Sequence, residues 1–246
     1  MNRILAVWLA IAAVASASEA ATLINPGFET GDFTGWFTFG QGWRTGVGDD
    51  ARTGDFGMVN DVLTTDDNTF RGIFQEVAVT AGNTYSAGVY IRAVNIQSSE
   101  SWFELQWLNS DGGVLDQLQS GHITGDQPFS LAAISGIVAP VGAVTASVRG
   151  IVFMPDPPAE EADFHIFDDF FLIDHDDLQI DIASDPSGGV TVQWSTNATV
   201  LHLEFTADLL SGDWELAPET PALHLNRWII TNSAATPETI YRLSAP

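Results

Sequence analysis

Three stretches of the chain, 84–93, 101–109 and 143–151, alternate polar or aromatic residues with apolar ones. This is the pattern of strands that expose one face. In 101–109, for example, Phe103, Leu105 and Trp107 form an apolar side. We expect the opposite sides of these stretches to form one shared face, made of Tyr90, Arg92, Trp102, Glu104, Gln106 and Arg149. Aromatic rings stack on the C–H faces of sugars, while amides, carboxylates and guanidinium groups pair with hydroxyls. This face therefore predicts carbohydrate binding.

The same residues also fit a solvated sheet surface with Arg–Glu pairs, which is common where a sheet has one exposed face. Catalysis has less support. A glycosidase needs two carboxylates about 5 Å or about 6.5–9.5 Å apart, and Glu104 with Glu76 or Asp116 is the pair the sequence offers. The five histidines lie in unrelated segments and no Gly-x-Ser-x-Gly motif occurs. We therefore expect that the protein is not an enzyme.

The charge of the chain excludes two classes of partner. It has 32 acidic residues against eight basic ones, all arginine, for a net charge of −24. Such a surface repels nucleic acid and anionic membranes. The chain has no cysteine, so its stability must come from a large core or a bound metal rather than from disulfides.

The first residues predict export. A short basic start, Met1–Arg3, precedes the apolar run 4–14 and the small residues of 15–20. This is the pattern of a secretory signal peptide over 1–20, which places the mature protein outside the cell or in the periplasm. We expect no membrane insertion, because no second apolar run of about 20 residues follows.

From Thr22 onward the periodicity is that of strands. Turn signals such as Ala81-Gly82-Asn83 and Asp111-Gly112-Gly113 separate runs rich in β-branched and aromatic residues. These runs are 74–79, 84–93, 101–109, 129–138, 143–153 and 164–173. Several short strands with regular turns predict an all-β sandwich.

Four ordered motifs within 22–174 carry a family resemblance. NPGFETGDFTGW at 25–36 opens the segment and FDDFFLI at 167–173 closes it, with FQEVAVTAGNTYSAGVYIRA at 74–93 and WFELQWLNSDGGVL at 102–115 between them. The set resembles a carbohydrate-binding module of the galactose-binding-like (family 4/9, cellulose-binding) jelly-roll type. The resemblance implies a jelly-roll domain over 21–175 that binds a polysaccharide or a cell-surface glycan.

This resemblance also implies a structural calcium ion. The first and last strands of a jelly roll run side by side, which would bring Glu29 close to Asp168 and Asp169. Calcium prefers six to eight hard oxygen ligands. Adjacent residues of a strand point to opposite faces, so we expect one of the two aspartates to ligate and the other to form hydrogen bonds. A second possible calcium loop contains Asp49, Asp50 and Asp55.

The last segment, 178–246, reads as five further short strands. Its phrases LEFTADLLSGDWELAP and ETIYRLSAP resemble the small fibronectin-like modules that end many bacterial secreted proteins. The sequence thus predicts a jelly roll followed by a small β-sandwich, in a secreted, non-catalytic polysaccharide-binding protein with a structural calcium. The alternatives are a structural or adhesive surface protein without sugar binding, or a glycoside hydrolase.

Overall fold

The structure is a computed structural model that describes residues 22–65, 69–176, 180–184, 190–195, 202–208, 212–224, 227–232 and 239–244. The expected signal segment 1–20 lies outside these ranges, as do residues 177–179 at the expected domain boundary. No helix in the described part of the chain is long and apolar enough to cross a membrane.

The first ten strands form two five-stranded antiparallel sheets. The strands are β1 (Phe37–Phe39), β2 (Trp43–Val47), β3 (Phe56–Val62), β4 (Thr69–Ala78), β5 (Thr84–Val94), β6 (Glu100–Leu108), β7 (Val114–Gln119), β8 (Gln127–Val138), β9 (Thr145–Met154) and β10 (Asp163–Asp174). The first sheet has the order β1-β4-β9-β6-β7, and the second has the order β2-β3-β10-β5-β8. This is the predicted jelly-roll sandwich, and the all-β prediction is confirmed.

Strand alternation builds the core between the two sheets. In β6, Phe103, Leu105 and Trp107 point inward and are fully buried. They meet inward residues of the second sheet, including Tyr85 of β5, whose ring centroid lies 5.4 Å from that of Trp107. Because successive strand residues face opposite ways, the residues between them in β6 must point to the outer face of the first sheet.

The opening motif packs against the last strand of the sandwich. Phe28 and Trp36 are buried together with Phe170, and the rings of Trp36 and Phe170 have centroids 4.5 Å apart. The indole N–H of Trp36 donates to the Asn25 carbonyl at 3.0 Å, and the Phe170 N–H donates to the Pro26 carbonyl at 3.0 Å. The aromatic contacts and main-chain hydrogen bonds fix the opening segment on β10.

The remaining strands form a smaller β unit. They are β11 (Asp181–Ser184), β12 (Val190–Ser195), β13 (His202–Thr206), β14 (Glu215–Leu216), β15 (Ala222–His224), β16 (Arg227–Asn232) and β17 (Ile240–Ser244). Their sheets have the orders β11-β12-β16-β15 and β14-β13-β17. Val192, Trp194 and Ile230 of one sheet pack with Leu203 of the other, which makes this unit the expected small β-sandwich. Its fibronectin-like identity and the boundary at 175–178 stay predictions.

A polar cluster is buried inside the larger sandwich. The imidazole of His165 lies 2.8 Å from Ser99 Oγ through Nε2 and 2.9 Å from Ser101 Oγ through Nδ1. Ser99 Oγ donates its hydrogen to Asp163 at 2.5 Å, so His165 Nε2 must carry a proton and donate to Ser99. Although its residue types are those of a catalytic triad, Asp163 bonds Ser99 rather than His165, and all four residues are buried. The cluster is structural.

Burial dominates the titration of this histidine. The pKa of His165 falls from 6.5 to about 4, mainly because of burial; the charge of Asp163 opposes this change, and that of Arg71 adds to it. The folded protein therefore keeps His165 neutral over a pH range in which the unfolded chain protonates it.

We predict that this difference makes stability depend on pH. Between pH 6.5 and about 4 the unfolded state binds one more proton at His165, so the free energy of unfolding falls as the pH falls, by about 3 kcal/mol over the whole range. His165→Gln should lose less stability on acidification from pH 7 to pH 4 than the wild type does. Chemical denaturation across this range measures both changes, and equal losses in the two proteins would contradict the prediction.

Candidate functional site

The six residues predicted to share one face lie on two different sheets. Trp102, Glu104 and Gln106 in β6 and Arg149 in β9 belong to the first sheet. The remaining two, in β5, belong to the second sheet, beside β10. The prediction of a single face was therefore wrong for Tyr90 and Arg92. Alternation gives the side of a strand on which a residue lies, but the sheet that the strand joins is a property of the whole topology.

The outer face of the first sheet combines aromatic and polar side chains, and we call it the aromatic–polar face. Its aromatic members come from four strands: Phe37, Phe39, Phe70, Phe74, Phe153 and Trp102. Phe37 and Phe70 are 65% and 55% exposed. Phe70 stacks on Phe153 with ring centroids 4.3 Å apart, and Phe37 lies 5.7 Å from Phe74. Large apolar rings thus face solvent next to one another.

Glu104 is at the centre of the polar part of this face. It is only 5% exposed, and Gln106, Gln117 and Gln119 each donate an amide hydrogen bond to its carboxylate, at 2.9, 2.9 and 3.1 Å. Arg149 Nη1 lies 3.6 Å from the same carboxylate. Cross-strand pairing places these side chains in adjacent rows, since Glu104 is opposite Gln119 on one side and Arg149 on the other. The network holds each polar group in a fixed orientation.

Arg149 links the polar network to the aromatic part of the face. Its guanidinium carbon lies 5.2 Å from the centre of the Phe74 ring, and its Nε donates to Ser147 Oγ at 3.0 Å. Burial lowers the pKa of Arg149, and the nearby carboxylates of Glu104 and Glu76 oppose this change. The side chain is therefore a partly buried cation with an aromatic ring beneath it.

Trp102 is on the aromatic–polar face but is not open to solvent. It is 3% exposed, because the imidazole of His122 lies parallel to its indole at a centroid distance of 4.2 Å and an angle of 3°. The predicted carbohydrate-binding role of Trp102 requires an open ring face, which His122 covers in this structure. His122 follows β7, in the loop before β8, and nothing in the local pattern indicated that it would fold over β6.

Tyr90 and Arg92 instead lie near the acidic residues expected to bind calcium. The guanidinium carbon of Arg52 lies 3.4 Å from the centre of the Tyr90 ring, and Arg52 Nη1 pairs with Asp169 at 2.8 Å. Arg92 donates to the carbonyl of Asp49. The outer face of the second sheet is thus covered at this point by the loop 48–55.

The two aspartates of the closing strand do not alternate as expected. The pairing of β10 with β5 shifts register between Asp168 and Phe171, and Asp169 adopts a left-handed backbone with φ 53°. This bulge turns both carboxylates toward Gly27, where an added Cβ atom would lie 3.6 Å from Asp168 Oδ1 and 3.2 Å from Asp169 Oδ1. The expectation that only one of them could point at a shared site was therefore wrong.

Glu29 reaches the same loop from the opening segment. Its carboxylate accepts hydrogen bonds from the N–H groups of Asp55 at 2.9 Å and Phe56 at 3.3 Å. A Cβ atom at Gly54 would lie 2.3 Å from this carboxylate, so the close approach requires glycine. Glu29, Asp168 and Asp169, which we call the acid cluster, thus surround the turn 52–55 and Gly27.

The donor chemistry of the acid cluster suits a hard cation, but protein groups also satisfy it. Asp168 Oδ2 accepts from the N–H groups of Arg52 at 2.7 Å and Thr53 at 3.2 Å. Burial, and then the charge of Asp169, raise the pKa of Asp168 to about 7 despite these hydrogen bonds. Asp168 therefore holds a proton more readily than an exposed aspartate does. Among the residues that the structure describes, no three His, Cys, Asp or Glu side chains converge closely enough to form a metal site by themselves. Main-chain carbonyl oxygens would have to complete the coordination.

Sequence reasoning missed several residues of the aromatic–polar face. Phe37, Phe39 and Phe70 lie in strands that the turn signals did not reveal, since the expected strand began at Phe74 rather than Thr69. A signal was present, because Phe70, Phe74 and Glu76 fall on one side of β4 by alternation. Gln117, Gln119 and His122 have no distinguishing local pattern.

Comparison with known proteins finds similarity of fold. No protein-family model matches the chain, and no curated protein matches it. Among solved structures, it is similar to the carbohydrate-binding module TmCBM61 in complex with β-1,4-galactotriose, with a TM-score of 0.47 and 21% identity over 64% of this chain and 100% of that one. It is also similar to the enzymatically active domain of bacteriophage CBA120 tailspike protein 4. The TM-score is 0.50, and the identity is 14% over 62% of this chain and 21% of that one. A third similar structure is the CBM22-2 xylan-binding domain of Paenibacillus barcinonensis Xyn10C. Its TM-score is 0.45, and the identity is 14% over 61% of this chain and 97% of that one. At these identities the similarity concerns the fold alone.

Proposed function

We propose that this protein binds a neutral polysaccharide on the aromatic–polar face. One observation carries the proposal: the exposed rings of Phe37 and Phe70 lie beside a hydrogen-bonded network centred on Glu104. Sugars require both parts, since their C–H faces stack on rings and their hydroxyls pair with planar polar groups.

The extent of the aromatic–polar face also suits a long polysaccharide. It crosses all five strands of the first sheet, from β1 at one edge to β7 at the other. A polymer lying along this face would contact the rings near β1 and β4 and the amides near β6 and β7 at the same time. Several weak contacts of this kind, held in place before binding, give affinity at a small cost in entropy.

Charge favours a neutral ligand. The chain has a net charge of −24, which repels polysaccharides rich in uronic acid or sulfate groups. On the face itself, the guanidinium of Arg149 is already paired with Glu104.

The proposal is for binding without catalysis. Both oxygens of Glu104 accept hydrogen bonds from glutamine side chains, and Arg149 lies against one of them. A general acid or a nucleophile needs a carboxylate that is free to transfer a proton or attack a sugar carbon. These contacts suit Glu104 to a ligand-orienting role instead.

We also propose that the protein is exported and that its small C-terminal sandwich is a fibronectin-like module. The N-terminal basic, apolar and small-residue pattern supports export, and the paired short strands of 181–244 support the second assignment.

A structural calcium ion is the last part of the proposal. Asp168 and Asp169 would supply carboxylate oxygens beside Gly27, Glu29 would approach from the opening segment, and main-chain carbonyls would have to complete the coordination. The ion would balance the charge of two adjacent carboxylates and tie the opening segment to β10. It would act on stability, at a distance from the polysaccharide face.

We predict that losing aromatic or guanidinium groups from this face weakens polysaccharide binding. Phe70→Ala removes a stacking surface, and Arg149→Ala removes a hydrogen-bonding cation. Each should reduce affinity about tenfold, equivalent to about 1.4 kcal/mol. A glycan array that includes xylan and β-1,4-galactan first identifies a ligand, and titration calorimetry with that ligand compares the variants.

The matched control is Phe164→Ala, which removes the same side chain from the second sheet. It should bind as the wild type does. Full affinity in Phe70→Ala and Arg149→Ala, with both variants folded, would disprove the proposed face. If the folded wild-type protein binds no glycan on the array, a structural or adhesive role would be favoured.

We predict that calcium raises the thermal stability of the protein. A ligand that binds only the folded state stabilises it by mass action, and millimolar calcium should raise the melting temperature by about 5 °C over a chelated sample. Asp169→Asn should remove this increase, whereas Asp111→Asn, at an exposed turn, should keep it. Calorimetric melts with calcium and with chelator make the comparison, and identical wild-type melts would rule out the site.

A further inference from the structure

We infer that His122 is a side-chain cover over a sugar-stacking subsite formed by Trp102. This inference rests on the proposed function, because the subsite would bind a pyranose ring of the same neutral polysaccharide. It concerns a residue that no part of the sequence pattern pointed to.

The geometry of the pair is that of a ring occupying the place of a ligand. The imidazole and the indole are parallel within 3°, with centroids 4.2 Å apart. Phe70 meets Trp102 at a centroid distance of 6.3 Å and an angle of 87°, so the ring that lies parallel to the indole is that of His122. His122 therefore covers a flat aromatic surface that a sugar ring would otherwise use.

Trp102 also has a polar group that calls for a partner. Within the described residues, its Nε1 is buried and has no hydrogen-bond acceptor. Buried donors are nearly always paired, so such a group needs an explanation. A sugar hydroxyl that reached the edge of the indole would accept this in-plane hydrogen, which a ring stacked on the indole face does not do.

The cover can open without a change in the main chain. Ile123 exchanges two main-chain hydrogen bonds with Ser101, at 2.8 and 3.0 Å, and Ser120 N donates to the Phe103 carbonyl at 2.9 Å. These bonds fix the backbone on both sides of His122. Only the side chain is free to move, by rotation about its own bonds, which is fast for exposed residues.

The contacts that keep the cover closed are few and lie near solvent. His122 Nδ1 lies 3.1 Å from Glu100 Oε2, and Nε2 lies 3.5 Å from Gln119 Oε1. About a third of the His122 side chain, 35%, is exposed. Gln119 also donates to Glu104, so the closed cover shares a partner with the polar network.

The consequence is that His122 lowers the apparent affinity for polysaccharide. A ligand that needs an open subsite binds with its intrinsic affinity reduced by the fraction of molecules that are open. If the closed state dominates, its removal should raise affinity by roughly three- to tenfold. His122 is thus a residue that tunes affinity, and Trp102 is the surface that it covers.

The experiment compares His122→Ala with the wild type in titration calorimetry, using the polysaccharide fragment found on the glycan array. We expect tighter binding in His122→Ala by roughly three- to tenfold. Adding Trp102→Phe, which keeps a ring but removes the N–H, should reverse part of the gain. His202→Ala, at an exposed histidine of β13, is the control and should bind as the wild type does. Unchanged or weaker binding in His122→Ala would overturn the inference.

A second readout does not depend on any ligand. Hydroxyl-radical footprinting with mass spectrometry measures oxidation of Trp102, which should be slow in the wild type and in His202→Ala and fast in His122→Ala. If Trp102 stays protected in His122→Ala, the cover does not exist, whatever the protein binds. If Trp102 in His122→Ala is oxidised fast but no variant binds a glycan, His122 does cover Trp102. The proposed function, and with it the sugar subsite, would then be overturned.

Discussion

The two-residue period of β6 determines how the larger sandwich is packed. Phe103, Leu105 and Trp107 must be buried between the sheets, and this requirement leaves the intervening residues no direction except outward. Because β6 lies between β9 and β7, those outward residues meet Arg149 on one side and the glutamines of β7 on the other. Packing of the core thus determines which residues of β6 form the opposite surface.

The second constraint is closure of the sandwich at the last strand. The opening segment lies against β10 through Phe28, Trp36 and Phe170, and the bulge after Asp168 turns two carboxylates toward it. Two adjacent negative charges at a closing seam are costly unless they are balanced. Arg52 and main-chain N–H groups balance part of this charge. The proposed calcium ion would balance the remainder.

How much of this could be predicted from sequence depends on whether a feature is local. Alternation in 101–109 correctly separated the core side of β6 from its outer side, and the strand runs correctly gave an all-β sandwich. The same reasoning joined Tyr90 and Arg92 to the wrong face, because alternation within β5 does not reveal that β5 pairs with β10. The bulge at Asp169 was likewise hidden, since a register shift depends on the partner strand.

The aromatic–polar face itself was half predicted. Glu104, Gln106 and Arg149 were identified, whereas Phe37 and Phe70 were missed because their strands were not recognised. The stacking of His122 on Trp102 depends on a loop path that only the folded chain defines.

We propose that the polysaccharide binds to the outer face of the first sheet rather than to that of the second. A crystal structure of the protein with a bound oligosaccharide tests it most directly. We expect sugar rings to lie across Phe37 and Phe70, with hydroxyls bonded to Arg149 or to the amides around Glu104. A sugar bound instead around Tyr90 and Arg92 on the second sheet would contradict it.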